Sequence, residues 1–592
     1  MNEKIRKGSE FLIADISEQE VFVPEEFSDE QKQMGETTRK YVTDSILPDV
    51  EEIDEQNFDL VVNHLKQLGE LGLFLVDAPE EYGGLELDKV TSALIAENIA
   101  PSGAFSVVFS AHTGIGTLPL VYYGSKDQKQ RYLEKLITGE WIGAYCLTEP
   151  NSGSDAMGAK STAKLSGDGK HYILNGTKQF ITNAGYANLF TVFAKIDGDK
   201  FTAFLVEREH PGLTIDQEEK KLGIKGSSTC ALIMDNLRVP VENLLGEIGK
   251  GHKIAFNILN VGRFKLGAAV CGASKSAIRE SVIYAKERKQ FKLPIASFGA
   301  IQEKLCDMTT QTFASESMIY RIAALMDQKL ETLDKKSPTY YQEYEKSIED
   351  YTVECAISKV YCSDVLAFAV DEMVQIFGGY GYVKGYPAER YYRDERINRI
   401  FEGTNEINRL LIAGTILKKA EKNILPIQQA AMQAGENLIT PDLDEIDLDV
   451  PFSGEKVLVR NLKQIFLIVS GFAVQRYGEK ISFEQELLMA AANIAIQLFA
   501  LESAVLRAAK IYEQANENKK KLLRAITKSL AFEIAELLSA QAKKAAFFLE
   551  EGDDLMMLLS GIRRFTKFDA SGLLESKRFV AKSVIEAEKY PF

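Results

Sequence analysis

Between two long stretches whose apolar residues recur every three or four positions, the chain carries residues 144–247, where they recur every second position. A buried helical stripe and a half-buried strand need those two different periods. The expected fold is therefore mainly α with a middle β-domain. Within the β-segment, HYILNGTKQFIT (171–182) reads as two short strands around Asn175-Gly176, a strong hairpin signal because both turn residues need positive φ. LFTVFAKI, DGD and KFTAFLVER repeat that logic.

The remaining organisation follows from punctuation. Residues 1–28 form an arm containing Pro24, and 29–143 a helical domain with Ser125 as N-cap of KDQKQRYLEKL. Residues 248–420 return to long helices, including GRFKLGAAVCGASKSAIRESVIYAKERKQF and stretches near 298–328 and 351–377. The polar stretch 421–455, with TPDLDEIDLDVP, reads as an acidic linker, and 456–592 as a further helical extension. The apolar stripes of these helices are read as core.

Charge narrows the function classes. The 592 residues carry 70 Lys plus Arg against 85 Asp plus Glu, a net charge of −15. No basic tract is present to neutralise phosphates, so nucleic acid is excluded as the main partner and adhesion to anionic membrane is disfavoured. The six cysteines include no CxxC, and the five histidines have no metal-pair spacing, so buried reduced thiols and no metal site are expected. The N-terminal MNEKIRKGSEFLIADISEQE lacks an apolar signal core, and the run Ile465–Val474 is too short to span a bilayer. On these features a cytoplasmic chain is expected.

Four segments carry candidate chemistry. YCLTEPNSGSDA (145–156) ends in small residues that let backbone N–H groups approach an anion or planar ring; a tight turn is the plainer reading. KQFITNAG (178–185) offers either one face for a flat cofactor or an ordinary strand. In YAKERKQFKLPIASFGAIQEKL (284–305), Arg288 is either a phosphate fork or a solvated helix residue. QIFGGYGY (375–382) is too glycine-rich for a helix interior and reads as a loop open to close backbone approach. In IFEGTNEINRLL, Glu402 precedes Gly403 and the candidate N-cap Thr404. A carboxylate there, among Ile400 and Phe401, is either a desolvated base or an acid favoured by the helix dipole.

In combination and order, these motifs resemble the acyl-CoA dehydrogenases over about residues 30–415. The region after 421, with FGAIQEKL and ILNVGRF (258–264), is similar to the very-long-chain branch. The resemblance implies an N-terminal helical domain, a β-domain, a four-helix bundle and an extra C-terminal helical domain. It also implies FAD, and oxidation of a fatty acyl-CoA to the trans-2-enoyl-CoA: a carboxylate removes the α-proton while hydride leaves the β-carbon for flavin N5. Glu402 matches the base. Some relatives carry the base at the position of Gly262, which has no side chain here. The thioester carbonyl is expected to be held by a flavin ribityl hydroxyl and the Glu402 N–H, and pocket closure to raise the Glu402 pKa.

By the same resemblance, Tyr145, Cys146, Leu147, Thr148, Gly153 and Ser154 line the flavin, with Phe180, Ile181 and Thr182 on another side. Phe180 stands where the family usually has Trp. Arg288 and Phe291 match residues that reach FAD across a dimer interface, Gln375, Ile376, Phe377, Gly378 and Gly379 its dinucleotide portion, and Thr404 and Glu406 its adenosine end. Ser154, Asn260, Arg263, Phe401 and Gly403 match acyl-CoA contacts. Val107 and Ala111 stand where medium-chain relatives carry polar pocket-floor residues, which implies a deeper slot and long-chain acyl-CoA. A homodimer and electron-transferring flavoprotein as acceptor are implied, with membrane association not favoured by the acidic linker. An acyl-CoA oxidase and a non-turning-over scaffold flavoprotein are the competing readings.

Overall fold

The computed structural model describes residues 5–337, 339–439, 446–447 and 449–592. Helices and 3-10 turns occupy residues 10–137, with Ser125 capping Lys126–Ile137 through its side chain. The β-domain holds β1 (Gly143–Cys146), β2 (Thr162–Leu165), β3 (His171–Thr182), β4 (Leu189–Ile196), β5 (Lys200–Glu207), β6 (Leu213–Ile215), β7 (Thr229–Pro240) and β8 (Leu244–Leu245). They form one sheet in the order β6-β7-β3-β2-β4-β5-β8, with β1 parallel to β4. Its inner residues, among them Cys146, Leu174, Phe190, Val192, Phe204 and Leu232, make a core of their own.

The two expected hairpins come out differently. β4 and β5 pair antiparallel around Asp197 and Gly198, both at positive φ. Asn175-Gly176 is no turn: β3 runs through it as one strand paired to β7, with a register shift between Leu174 and Gly176. This corrects the hairpin expectation. The strand β7 continues on both sides, so the dipeptide serves as a bulge. A Cβ on Gly176 would lie 2.4 Å from Ser161 Oγ, which explains the glycine.

A bundle of long helices follows: Gly251–Glu287, Gly299–Leu330, Thr352–Phe377 and Asn405–Glu421. Between the first two, the short hairpin Lys289–Gln290 with Leu293–Pro294 turns on Phe291 and Lys292 at positive φ and leaves Phe291 88% exposed. Gln375–Phe377 are the last turn of their helix, and only Gly378–Tyr382 leave it, as a 3-10 turn. The loop reading of Gln375–Phe377 is corrected accordingly, because Gly378 at φ +60 stops the helix only after them.

Residues 427–439, read from composition as part of a linker, form the helix Ile427–Ile439, which buries Ile427, Ala434 and Leu438. Its apolar face packs on the extension, which outweighs its polar composition. The acidic run itself, 440–451, falls largely outside the described residues. The extension comprises Ser453–Tyr477, Gln485–Tyr512, Glu517–Leu549, Gly552–Phe565 and Leu573–Ala587. Buried ion pairs lock it to the bundle: Arg321 with Glu502 (2.8 Å) and Arg507 with Glu316 (2.6 Å), the latter also receiving the Tyr590 hydroxyl (2.7 Å).

Four segments, Ala104–Tyr123, Gly251–Glu287, Ser453–Phe483 and Gln485–Tyr512, are by length and composition long and apolar enough to cross a membrane. That corrects the reading of the run at 465–474 as too short. Between 61% and 78% of each apolar window is buried within the protein. All six cysteines are buried and free.

Candidate active site

Glu402 sits on a loop that its sequence forces into an unusual shape. Glu402 and Gly403 both adopt positive φ, +57 and +80, before Thr404 caps the helix Asn405–Glu421 by accepting the Ile407 N–H. A glutamate in that region is strained by an amount on the order of 1 kcal/mol, and the surroundings hold it there. Arg263 Nε donates to the Glu402 carbonyl (3.1 Å), Lys359 Nζ to the Gly403 carbonyl (2.8 Å) and Asn405 Oδ1 (2.5 Å), and Asn408 Nδ2 to the Gly403 carbonyl (2.7 Å). The loop is thus clamped through its backbone and the Glu402 carboxyl is left unencumbered.

That carboxyl faces a cavity. Its Oε2 is buried and accepts no hydrogen bond among the described residues. Desolvation pushes the acid up to about 7, against the opposing pull of Arg263 and Lys359. Gly262 faces it directly: a Cβ there would lie 2.9 Å from Glu402 Oε2 and 3.1 Å from Cδ. Two positions 140 residues apart therefore converge on one point, and only one of them carries a side chain.

The cavity runs from Glu402, Phe401 and Thr182 along one face of the Gly251–Glu287 helix, past Leu266, Ala269 and Val270 to Ala273. Val107 and Ala111, from a different helical segment, line it as well. At 1.5 Å per helical residue, Gly262 to Ala273 spans about 16 Å. The small residues at 262, 269 and 273 leave the width of the slot, and its walls are mainly apolar over this length, interrupted by Ser106, Ser110 and Lys265, whose ammonium is held by Asp77 (2.6 Å).

The other sequence-nominated residues fall into distinct places. Phe180, at φ +59, is 58% exposed at the end of β3, near the half-buried Leu147 and Thr148. The Gln179 N–H donates to the Thr148 carbonyl (2.9 Å), which joins these two segments. Gly153 and Ser154 are exposed, and a Cβ on Gly153 would meet nothing within 4 Å. Tyr145, Cys146 and Ile181 are buried with their side chains in the protein cores, so only their backbone is available to a ligand. Beneath them, buried Lys178 donates to Glu149 (2.7 Å) and to the Leu147 carbonyl (3.3 Å), tying β3 to the end of β1.

Asn260 donates to Thr352 (3.0 Å) and accepts from Arg263 (2.9 Å); neither forms part of the cavity wall, and nor do Ser154 and Gly403. Arg288, Ile376, Phe377, Gly378 and Gly379 line a second, open groove with Tyr284, Gln290 and Tyr380. Cβ atoms on Gly378 and Gly379 would point into empty space. Gln375, Thr404 and Glu406 are at least partly exposed. Sequence reasoning missed Lys359, which burial lowers to about 7 and which grips the Gly403 carbonyl. It also missed the small-residue face at 262, 269 and 273, whose helical spacing was a usable signal.

These grooves suit a large planar cofactor with a nucleotide tail: open backbone at Gly153, Gly378 and Gly379, an exposed ring at Phe180 and a rim bearing Arg288, whose guanidinium lies over the Tyr380 ring at 5.6 Å.

Family models match four parts of the chain: acyl-CoA dehydrogenase N-terminal domain at 28–140, middle domain at 144–237, and C-terminal domains at 249–417 and 461–564. A "Probable acyl-CoA dehydrogenase" of Bacillus subtilis (strain 168) is 47% identical over 590 residues, covering 99% of this chain and 98% of that protein. The mitochondrial very long-chain specific acyl-CoA dehydrogenase of Rattus norvegicus is 38% identical over 75% of this chain and 70% of its own. A crystal structure of an acyl-CoA dehydrogenase complexed with FAD from Bacillus anthracis superposes with a TM-score of 0.97 at 48% identity, covering 99% of this chain and 100% of the other.

Proposed function

The chain belongs to the acyl-CoA dehydrogenase family as an FAD-dependent enzyme, and from that premise we propose that it oxidises long-chain acyl-CoA to trans-2-enoyl-CoA with Glu402 as the base. One observation carries the assignment: a buried carboxyl oxygen without a hydrogen-bond partner, at the wall of an apolar slot.

An α-proton of a thioester is a weak acid, so a base poised near neutral pH removes it best. Desolvation brings Glu402 to that point. Its backbone N–H is assigned to the thioester carbonyl, where it stabilises the developing enolate. Arg263 and Lys359 hold the loop carbonyls and so fix both groups relative to the slot. The apolar walls exclude water and strengthen every electrostatic contact inside.

Bound FAD supplies the acceptor for hydride from the β-carbon. Backbone of Tyr145–Thr148 and Ile181, with Gly153, Ser154, Phe180 and Thr182, would hold its ring system. Arg288, Phe291 and Gln375–Gly379, with Thr404 and Glu406, would hold the nucleotide. Arg288 and Gly378 line a groove separate from the Glu402 cavity, and the hairpin presents Phe291 outward. The family resemblance assigns these two sets to different copies of the chain, so a homodimer is proposed. Electron-transferring flavoprotein is the proposed acceptor, and the free buried thiols support a cytoplasmic location.

The long-chain preference rests on slot length. About 16 Å corresponds to roughly a dozen methylenes at the ~1.25 Å per carbon that tetrahedral bonds allow. Anaerobic bleaching of the flavin by palmitoyl-CoA, compared with butyryl-CoA, tests the proposal. Faster bleaching by butyryl-CoA overturns the chain-length assignment, and peroxide as the main product under air overturns the dehydrogenase acceptor.

A further inference from the structure

The far end of the same slot has a different chemistry, and the inference drawn from it rests on the acyl-CoA reading above. The Tyr391 hydroxyl meets Ser276 Oγ at 2.9 Å, so the adjoining helix Pro387–Glu395 crosses the slot beyond Ala273, at the end remote from Gly262. There Arg390 and Asp394 line the cavity opposite Gly103. Gly103, at φ +63, has no Cβ; one placed there would lie 2.9 Å from Arg390 Nη1 and 3.4 Å from Asp394 Oδ2. The guanidinium and the carboxylate therefore flank a single point on the wall.

Asp394 is only 9% exposed. Its Oδ1 accepts the Ile224 N–H (2.5 Å) and lies 3.6 Å from Arg393 Nη1. Its Oδ2 is buried and has no hydrogen-bond partner among the described residues. Burial raises this acid to about 6. Arg390 lies over the Tyr391 ring, 5.6 Å from its centroid, and is partly exposed.

The tail of a bound acyl chain meets this pair once it fills the slot. A methyl terminus would strip solvent from both groups and offer nothing in return. A terminal carboxylate would suit Arg390 but face Asp394, and an ammonium would do the reverse. A hydroxyl both donates and accepts, so it satisfies the two at once.

We propose that the acyl slot ends in a polar subsite, formed by Arg390 and Asp394 beside Gly103, that accepts a neutral hydroxyl at or near the ω-carbon of a long-chain acyl-CoA. The slot distinguishes chains by where their polar atoms fall as well as by their length. Mid-slot, beside Leu266, Ala269 and Val270, the neighbours are mainly apolar, and Ser106 and Lys265 on that stretch already donate to the Gly103 carbonyl and to Asp77.

The test is kcat/KM for four substrates of the FAD-loaded enzyme: decanoyl-CoA, palmitoyl-CoA and the ω-hydroxy form of each. The hydroxyl should lower kcat/KM about tenfold at ten carbons, where it ends against mainly apolar walls. At sixteen carbons it should leave kcat/KM equal or higher. Hexadecanedioyl-CoA should be poorer than ω-hydroxypalmitoyl-CoA. Within Arg390→Met, the ratio of kcat/KM for ω-hydroxypalmitoyl-CoA to that for palmitoyl-CoA should fall about tenfold from its wild-type value, and an unchanged ratio overturns the subsite. Equal penalties at both lengths in the wild type, with palmitoyl-CoA turned over, overturn the subsite and leave the long-chain assignment standing. No turnover of palmitoyl-CoA overturns the reading beneath it.

Discussion

Gly262→Ala separates catalysis from stability at a single methyl group. The added Cβ would lie 2.9, 3.1 and 3.2 Å from Oε2, Cδ and Oε1 of Glu402. Ordinary contact begins near 3.5 Å, so the carboxyl must retreat by about half an ångström. It is the free end of a flexible side chain, so that retreat costs the fold little. A misplacement of about 1 Å in a reacting group can cost on the order of a hundredfold, so half of that should cost about tenfold in the rate of flavin reduction by palmitoyl-CoA. Meanwhile alanine replaces glycine inside a 37-residue helix, which favours folding by about 1 kcal/mol. The expected variant therefore melts at the same temperature or slightly higher, binds FAD normally and reduces it more slowly. Anaerobic stopped-flow at 450 nm and a thermal melt on the same preparation give both numbers. A wild-type reduction rate in a variant of unchanged stability would refute the placement of the proton-removing group between positions 262 and 402.

Four further outcomes are expected. Glu402→Gln should slow flavin reduction by about 10⁴-fold, since a positioned general base contributes about 10²–10⁴-fold and the other acids lining the cavity among the described residues, Asp394 and Glu395, belong to the helix at the far end of the slot; reduction within tenfold of wild type would sink the assignment. Flavin reduction should rise with pH through about 7, because Glu402 acts as its carboxylate and burial raises it to that value; a flat profile between pH 5.5 and 8.5 would contradict this. The same raised pKa costs stability as pH climbs from the ordinary carboxylate range to about 7, by an amount on the order of 3 kcal/mol, so Glu402→Gln should stabilise the protein at pH 8 and have little effect at pH 4.5, read by denaturant unfolding. Lys359→Met removes the donor to the Gly403 carbonyl and Asn405 Oδ1, and should destabilise the chain by about 1–3 kcal/mol while lowering kcat more than it raises KM.

What was legible in the residues is what is decided locally. Ser125 and Thr404 announce their helices because a capping side chain reaches only two or three residues ahead. Asp197-Gly198 announces its hairpin because positive φ at two adjacent residues defines the turn. The change of period at 144 and again after 247 marks the β-domain for the same reason: side-chain direction follows from the local backbone. The ordered motifs likewise brought Glu402 to notice as a carboxylate at a helix mouth.

Tertiary structure decided everything that depends on a second segment. Asn175-Gly176 became a bulge because β7 pairs along both halves of β3, a partner more than fifty residues away. Ile427–Ile439 became a helix because the extension offers its apolar face a surface. Neither Gly262 nor Glu402 alone reveals that a methyl on one would touch the carboxyl of the other, and Gly103 gives no local sign that Arg390 and Asp394 lie against it. Local conformational preference is written in the order of the side chains; burial, desolvation and convergence depend on which distant atoms displace water, and only the folded chain sets that.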